Sequence, residues 1–191
     1  MNELLTIFFS MALINNFILV RFLGLCPFFG VSKKTSSAFK MGLAVLLVMV
    51  VTSIVTWTLY MYILEPLSVE FMKTMVFILV IASLVQILEL TIRRTSISLY
   101  NSFGIYLPLI TTNCAILGLA LINIQGDFTF FEMVFSAIGA GVGFTLVLLI
   151  MSGIRERLEL ADVPDSFRGL PIAFITAALL ALSFLAFGGM V

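Results

Sequence analysis

Apolar residues fall along this chain in long runs, separated by short breaks that hold nearly all of its charge. The runs cover 4–29, 41–64, 75–92, 99–122, 131–154 and 170–190. Each is close to the roughly 20 residues that a helix needs to cross the hydrocarbon core of a bilayer. The breaks carry Lys33, Lys34 and Lys40, then Glu65, Pro66, Glu70 and Lys73, then Arg93 and Arg94, then Asp127 and Glu132. The last is the stretch from Arg155 to Arg168, with turn signals in Pro164, Asp165 and Gly169. The pattern predicts an all-α integral membrane protein of six transmembrane helices, a single polytopic domain over 1–191. The first charge is Glu3 and no small-x-small cleavage site follows, so the first run is expected to be retained rather than cleaved.

Composition agrees with that pattern. Hydrophobic residues make up 62% of the chain and charged residues 10%, with a mean hydropathy of +1.24. A soluble domain averages about 45–50% apolar and about 25% charged. The surrounding solvent is therefore expected to be lipid. Net charge is zero and there is no basic face, which argues against nucleic acid as a partner.

The distribution of cations gives an orientation. The first, third and fifth breaks hold Lys33, Lys34, Lys40, Arg93, Arg94, Arg155, Arg157 and Arg168, whereas the second and fourth breaks and both ends hold only Lys73. Short loops rich in Lys and Arg stay cytoplasmic, so both termini are expected on the non-cytoplasmic side. Three runs precede Arg93–Arg94 and three follow, giving halves of roughly 1–95 and 96–191. With an odd number of spans per half, equivalent halves are inverted relative to one another.

Two interrupted runs mark where chemistry would sit. The first contains Asn15, Asn16, Arg21, Gly24 and Pro27; the fourth contains Asn101, Gly104, Pro108, Thr111, Thr112 and Asn113. Polar and helix-breaking residues at membrane depth are tolerated where they are buried in protein or line a cavity, and paired broken segments point to a midplane site. Each broken run opens its half, and each carries Cys-x-x-x-Gly, at Cys26–Gly30 and Cys114–Gly118. Pro27 is expected to push Cys26 out of the helical region of backbone space.

The chain has no His, which removes His-based proton transfer and His-ligated metals. Cys26 and Cys114 are its only cysteines. A free Cys is ordinarily a small buried hydrophobe. Their matching positions in two broken runs favour a working role: half of a four-thiolate site, with a disulfide as the alternative. The neighbouring glycines would let backbone approach the sulfide atoms. A straight helix from Leu4 would carry Cys26 about 33 Å along its axis, near the inner interface, while Cys114 lies closer to the middle. The two meet only if the first run tilts or breaks, and Gly24 and Pro27 make a break plausible. Arg21 reads as a snorkelling cation. Gly139, Gly141 and Gly143 with Ala137 and Ala140 form a small-residue face for close helix packing. The Arg155–Arg168 stretch reads as a solvated surface.

These segments carry a resemblance. NNFILVRFLGLCPFFGVSKK at 15–34, YLPLITTNCAILG at 106–118 and IRERLELADVPDSFRGLPI at 154–172 resemble the two cysteine motifs and the fifth loop of the RnfA/NqrE family. The likeness runs over essentially the whole chain, and the first motif is worded as on the Rnf side of that family. The resemblance implies a subunit of a bacterial inner-membrane ferredoxin:NAD oxidoreductase coupled to Na+ or H+ translocation, with no complete active site of its own. It implies pairing with a homologue, RnfE, each chain giving two cysteines to one intramembrane 2Fe-2S cluster. Carried over residue by residue, the ligands are Cys26 and Cys114, and Gly24, Leu25, Pro27, Thr112, Asn113 and Gly118 are expected beside the cluster. RnfB, RnfC, RnfD and RnfG would complete the assembly and hold flavins and further iron–sulfur centres. The alternatives are an NqrE-like subunit of the Na+-translocating NADH:quinone oxidoreductase, a stand-alone inverted-repeat transporter, and a membrane thiol–disulfide oxidoreductase.

Overall fold

In lipid a backbone can satisfy its N–H and C=O groups only internally, and this chain does so with helices. The computed structural model describes residues 2–67, 70–95, 109–110 and 113–186. Helix α1 spans Asn2–Phe9 and runs into a wider π-turn at Ser10–Ile14. After a non-helical stretch, α2 spans Leu25–Val31. Helix α3 spans Thr35–Leu59 and continues through a π segment at Tyr60–Leu64. Then follow α4 (Lys73–Thr95), α5 (Cys114–Gln125), α6 (Phe130–Glu159) and α7 (Leu170–Leu185). Among the described residues, three helices are long and apolar enough to cross a membrane: Thr35–Leu64, Lys73–Thr91 and Phe130–Glu159. Shorter apolar helices lie at Glu3–Ile14, Cys114–Gln125 and Leu170–Leu185.

Several boundaries differ from the sequence expectation. Helix α3 starts at Thr35 rather than 41, and α6 ends at Glu159 rather than 154. Lys40, Arg155 and Arg157 are therefore helical. Hydropathy marks the hydrocarbon core, whereas a helix continues until its terminal groups meet a cap or water. Thirty residues at 1.5 Å make about 45 Å, well beyond a core of about 30 Å. The caps are specific. Thr129 and Glu132 form a reciprocal capping box at the start of α6. Glu156, near the end of α6, accepts from both the backbone N–H and the hydroxyl of Thr35 at 2.8 Å, closing the start of α3 from across the helix pair. Hydroxyls within the spans fold back on their own helices: Thr52 donates to the Val48 carbonyl, Thr56 to Thr52 and Thr145 to Gly141.

The core is the antiparallel pair α3–α6. Thr35 meets Glu156 at one end, and the Trp57 indole N–H donates to the Phe128 carbonyl, just before α6, at the other. Between them the glycines of each helix face the other: a Cβ on Gly42 would lie 2.5 Å from Thr145, and one on Gly141 would lie 2.8 Å from Leu46. A second face of α6 receives α1 running parallel to it. A Cβ on Gly139 would lie 2.6 Å from the Phe8 carbonyl oxygen, and one on Gly143 would lie 2.5 Å from that of Ala12. The small-residue face expected at 137–143 thus packs backbone against backbone. The remaining helices are arranged evenly about this core. Helix α1 and its π-turn lie on α6 as α5 lies on α3; α4 touches α3 and α5 as α7 touches α6 and the π-turn. Exchanging α1 with α5, α3 with α6 and α4 with α7 maps each of these contacts onto another of them. Helices α4 and α7 turn many large apolar side chains outward, among them Met75, Leu79, Phe174 and Leu182.

The glycine contacts can be tested by adding one methyl group. Gly139→Ala should lower the stability of the purified protein in detergent by about 1–3 kcal/mol, because backbone rather than a mobile side chain must yield. Gly153 on the same helix has nothing within 4 Å of its would-be Cβ. Gly153→Ala should be neutral or stabilising by up to about 1 kcal/mol, the usual helix preference for Ala. Thermal unfolding of the two variants measures the contrast.

Candidate functional site: the broken first segment and the cysteine helix

The first run breaks, but not at Pro27. Leu25, Cys26 and Pro27 are the first three residues of α2, where a missing N–H costs nothing because the opening turn has no intrahelical partners. Cys26 is therefore helical, which corrects the expectation that Pro27 expels it. The break lies upstream, over residues 15–24. Within it Phe22 and Gly24 have positive φ, 55° and 82°. For Phe22 that is a strained conformation, costing on the order of 1–3 kcal/mol.

This irregular stretch satisfies its polar groups locally and against α6. The Asn16 side chain, fully buried, donates from Nδ2 to the Ala12 and Gly143 carbonyls at 3.0 Å each and accepts from the Ile18 N–H at 3.1 Å. The backbone adds Val20 N–H to the Asn16 carbonyl (3.0 Å) and Leu23 N–H to that of Phe17 (2.8 Å). Phe17, Ile18 and Leu19 are buried. Leu23 sits on Gly118, where a Cβ would lie 2.6 Å from its Cδ1. Gly118 thus serves the close approach of the break to α5, one turn along from Cys114.

The two cysteine motifs meet at Gly24. Its backbone N–H donates to the Cys114 Sγ at 3.0 Å, across 90 residues of sequence. A side chain there has no room: a Cβ would lie 2.7 Å from the Phe144 ring, and 3.3 Å from both the Ala115 Cβ and the Asn113 Oδ1. Cys114 is the first residue of α5, and the buried Asn113 caps that helix by accepting from the Ala115 N–H at 3.0 Å. Twelve residues at 1.5 Å put Cys114 about 18 Å from the far end of α5. The break in the first run brings its cysteine-bearing turn to the same neighbourhood. Both thiols are free and exposed on the protein surface. Of the other expected neighbours, Leu25 is half-buried and Pro27 buried, whereas Thr112 lies outside the described residues. Arg21 is exposed at the break.

One functional contact escaped the sequence reading. Arg155, expected on a solvated surface, is buried, and its guanidinium donates to the Phe29 carbonyl (2.9 Å) and the Ser32 hydroxyl (2.8 Å). It closes the C-terminal end of α2 with a cation, where the helix dipole favours one. The signal was present in the spacing: Phe144, Leu148, Met151 and Arg155 share one buried face of α6 at helical intervals. With Glu156 on Thr35, the end of α6 grips both sides of the α2–α3 turn.

The donor set and its cradle suit a thiolate-ligated group. Two surface thiols would be the ligands of such a group, a glycine allows close backbone approach, and a backbone N–H is aimed at one sulfur. Among the described residues no group of three or more His, Cys, Asp or Glu comes together, so two thiols alone would fill only half of a four-thiolate site.

Helices packed on small-residue faces, outward apolar surfaces and an irregular segment buried in protein define a helical integral membrane protein. The chain belongs to the family described as Rnf-Nqr subunit, membrane protein, which it matches over residues 4–191. It is 54% identical over 191 residues to the A subunit of the ion-translocating oxidoreductase complex of Syntrophotalea carbinolica, covering 100% of this chain and 99% of that protein. It is 52% identical over 187 residues to the A subunit of the Na(+)-translocating ferredoxin:NAD(+) oxidoreductase complex of Acetobacterium woodii, covering 98% and 97%. The A subunit of the ion-translocating oxidoreductase complex of Vibrio vulnificus is 50% identical over the full length of both chains.

Replacing Arg155 tests the anchor of α2. Arg155→Met keeps the apolar stem but leaves the Phe29 carbonyl and the Ser32 hydroxyl without their donor. The expected loss is about 1–3 kcal/mol, or a fall in Tm of about 2–4 °C per kcal/mol. Arg155→Lys, with one ammonium for two acceptors, should fall between, as read by thermal unfolding in detergent.

Proposed function

We propose that this chain is a membrane subunit of an ion-translocating (Na+ or H+) ferredoxin:NAD oxidoreductase complex, relaying electrons through a 2Fe-2S cluster that it shares with a homologous subunit. Cys26 and Cys114 would be its two ligands to that cluster. The observation that carries this reading is the Gly24 N–H to Cys114 Sγ bond, which joins the two cysteine motifs. Exposure of both thiols supports a site completed from outside, because an intramembrane Cys is ordinarily buried. The relatives support the enzyme class through their names, and those names favour it over an NqrE-like quinone-reducing complex.

When bound, such a cluster supplies a one-electron station partway across a core about 30 Å thick, dividing a long transfer into shorter hops. The chain's residues hold it in position. Gly24 lets its backbone come close to Cys114, Asn113 sets the start of α5, Asn16 ties the break to α6, and Arg155 anchors α2 from its far end. No complete active site lies in this chain; the partners expected from the family are RnfE as the homologue, with RnfB, RnfC, RnfD and RnfG.

The matching contacts of α1, α3 and α4 with those of α5, α6 and α7 support the inverted-repeat reading, with six spans and halves of roughly 1–95 and 96–191. On that reading the antiparallel α3–α6 pair would lie on the axis relating them. The cation bias supports a bacterial inner-membrane location with Lys33, Arg155 and Arg168 cytoplasmic and both termini outside. Alkaline phosphatase fused to the C-terminus should then be active, and the same enzyme fused between Ala161 and Val163 inactive. The reverse result overturns the orientation.

The ligand assignment has a direct test. Cys26→Ala and Cys114→Ala, each in the assembled complex, should abolish the intramembrane cluster's electron paramagnetic resonance signal and lower the iron content, while flavins and other clusters persist. A complex that keeps the signal removes the cysteines from the ligand set. A stand-alone transporter would show neither colour nor iron, and a thiol–disulfide oxidoreductase a reducible Cys26–Cys114 bond without metal.

A further inference from the structure

The geometry points to the Gly24 backbone amide as the group that sets the reduction potential on the Cys114 side of the site. This rests on the cluster reading above and adds a specific electrochemical role for one peptide bond. The N–H lies 3.0 Å from the Cys114 Sγ, and it is held there by packing rather than chance. Gly24 adopts a φ of 82°, which orients its peptide as few other residues could. The fully buried Phe144 stands 2.7 Å from where a Cβ would be, so the glycine sits flush against α6. Before it, Leu23 is fixed by its N–H bond to the Phe17 carbonyl and by its seat on Gly118. After it, the Gly24 carbonyl accepts from the Phe28 N–H at 3.3 Å within the first turn of α2. The donor therefore cannot swing away without disturbing both cysteine helices.

A sulfur bound to iron becomes more negative when its cluster gains an electron. A fixed N–H donor stabilises that reduced form more than the oxidised one, and hydrogen bonds to the sulfurs are among the terms that set cluster potentials. In a site of low dielectric the effect is larger than in water. Gly24 is thus a positioning residue: it acts on the ligand sulfur through its amide.

The test uses the assembled complex, labelled with 15N-glycine, its cluster reduced, and examined by pulsed electron paramagnetic resonance. A 15N coupling from a hydrogen-bonded peptide nitrogen is expected in the wild type and should be lost in Gly24→Ala, where the residue is no longer labelled. In the same variant the added methyl meets Phe144 and displaces the amide, so the cluster's midpoint should shift to lower potential at unchanged iron content. Gly24→Ala with Phe144→Leu, which removes the clashing ring, provides an assembled variant if the single one does not form, and it should also lose the coupling. A cluster signal with no 15N coupling in the wild type, or a coupling and midpoint unchanged in the variants, overturns the assignment. Absence of any cluster signal in the wild type instead overturns the proposed function.

Discussion

The Asn16 carboxamide is the interaction on which the site depends. It bridges the Ala12 and Gly143 carbonyls and accepts from Ile18, so it repairs the hydrogen bonding of a chain that has left the helical path at membrane depth. Hydrocarbon offers no water to substitute for a missing partner, and each unpaired backbone group there costs several kcal/mol. The break over residues 15–24 therefore requires a neighbour that can come within hydrogen-bonding distance. The glycines of α6 permit that approach. Gly139 and Gly143 let α1 lie backbone to backbone on α6, and only then does Asn16 reach the Gly143 carbonyl.

From that contact the geometry of the cysteines follows. A continuous first helix would run on toward one membrane face and carry Cys26 away from Cys114. The break returns the chain across α5, seats Leu23 on Gly118 and presses Gly24 against Phe144. The Gly24 amide then meets the sulfur that opens α5. Arg155 and Glu156 complete the frame from the other end of α6, one on the end of α2 and one on the start of α3. Helix α6 thus touches every element that carries or flanks Cys26, and it contributes the Phe144 ring beside Gly24.

Much of this was legible along the chain. Hydropathy located the runs, because lipid imposes a length and a composition on anything that crosses it. The polar interruption at 15–27 marked that stretch as special, because such residues persist at depth only where protein covers them, whereas most of the one read at 101–113 lies outside the described residues. Two Cys-x-x-x-Gly motifs drew attention to the residues that the fold brings into one neighbourhood. What was misread shares one cause. Pro27 was expected to push Cys26 out of the helix, and Arg155 to lie on a solvated surface, since a proline and an arginine ordinarily break a helix and seek water. Proline is harmless in a first turn, however, and an arginine is well placed where a helix end offers carbonyls. Neither circumstance is visible until the helix boundaries are known.

The sequence by itself determined the class of this protein: helical and lipid-embedded, with two thiols and no histidine for chemistry. Those are properties of composition and period, and they hold whatever the packing. Only the tertiary structure decided where the first run breaks, that α6 supplies Gly143, Phe144 and Arg155 to hold that break, and that the Gly24 amide faces the Cys114 sulfur. Such contacts join residues about 90 to 127 positions apart. They depend on how closely one backbone approaches another, which no local pattern records.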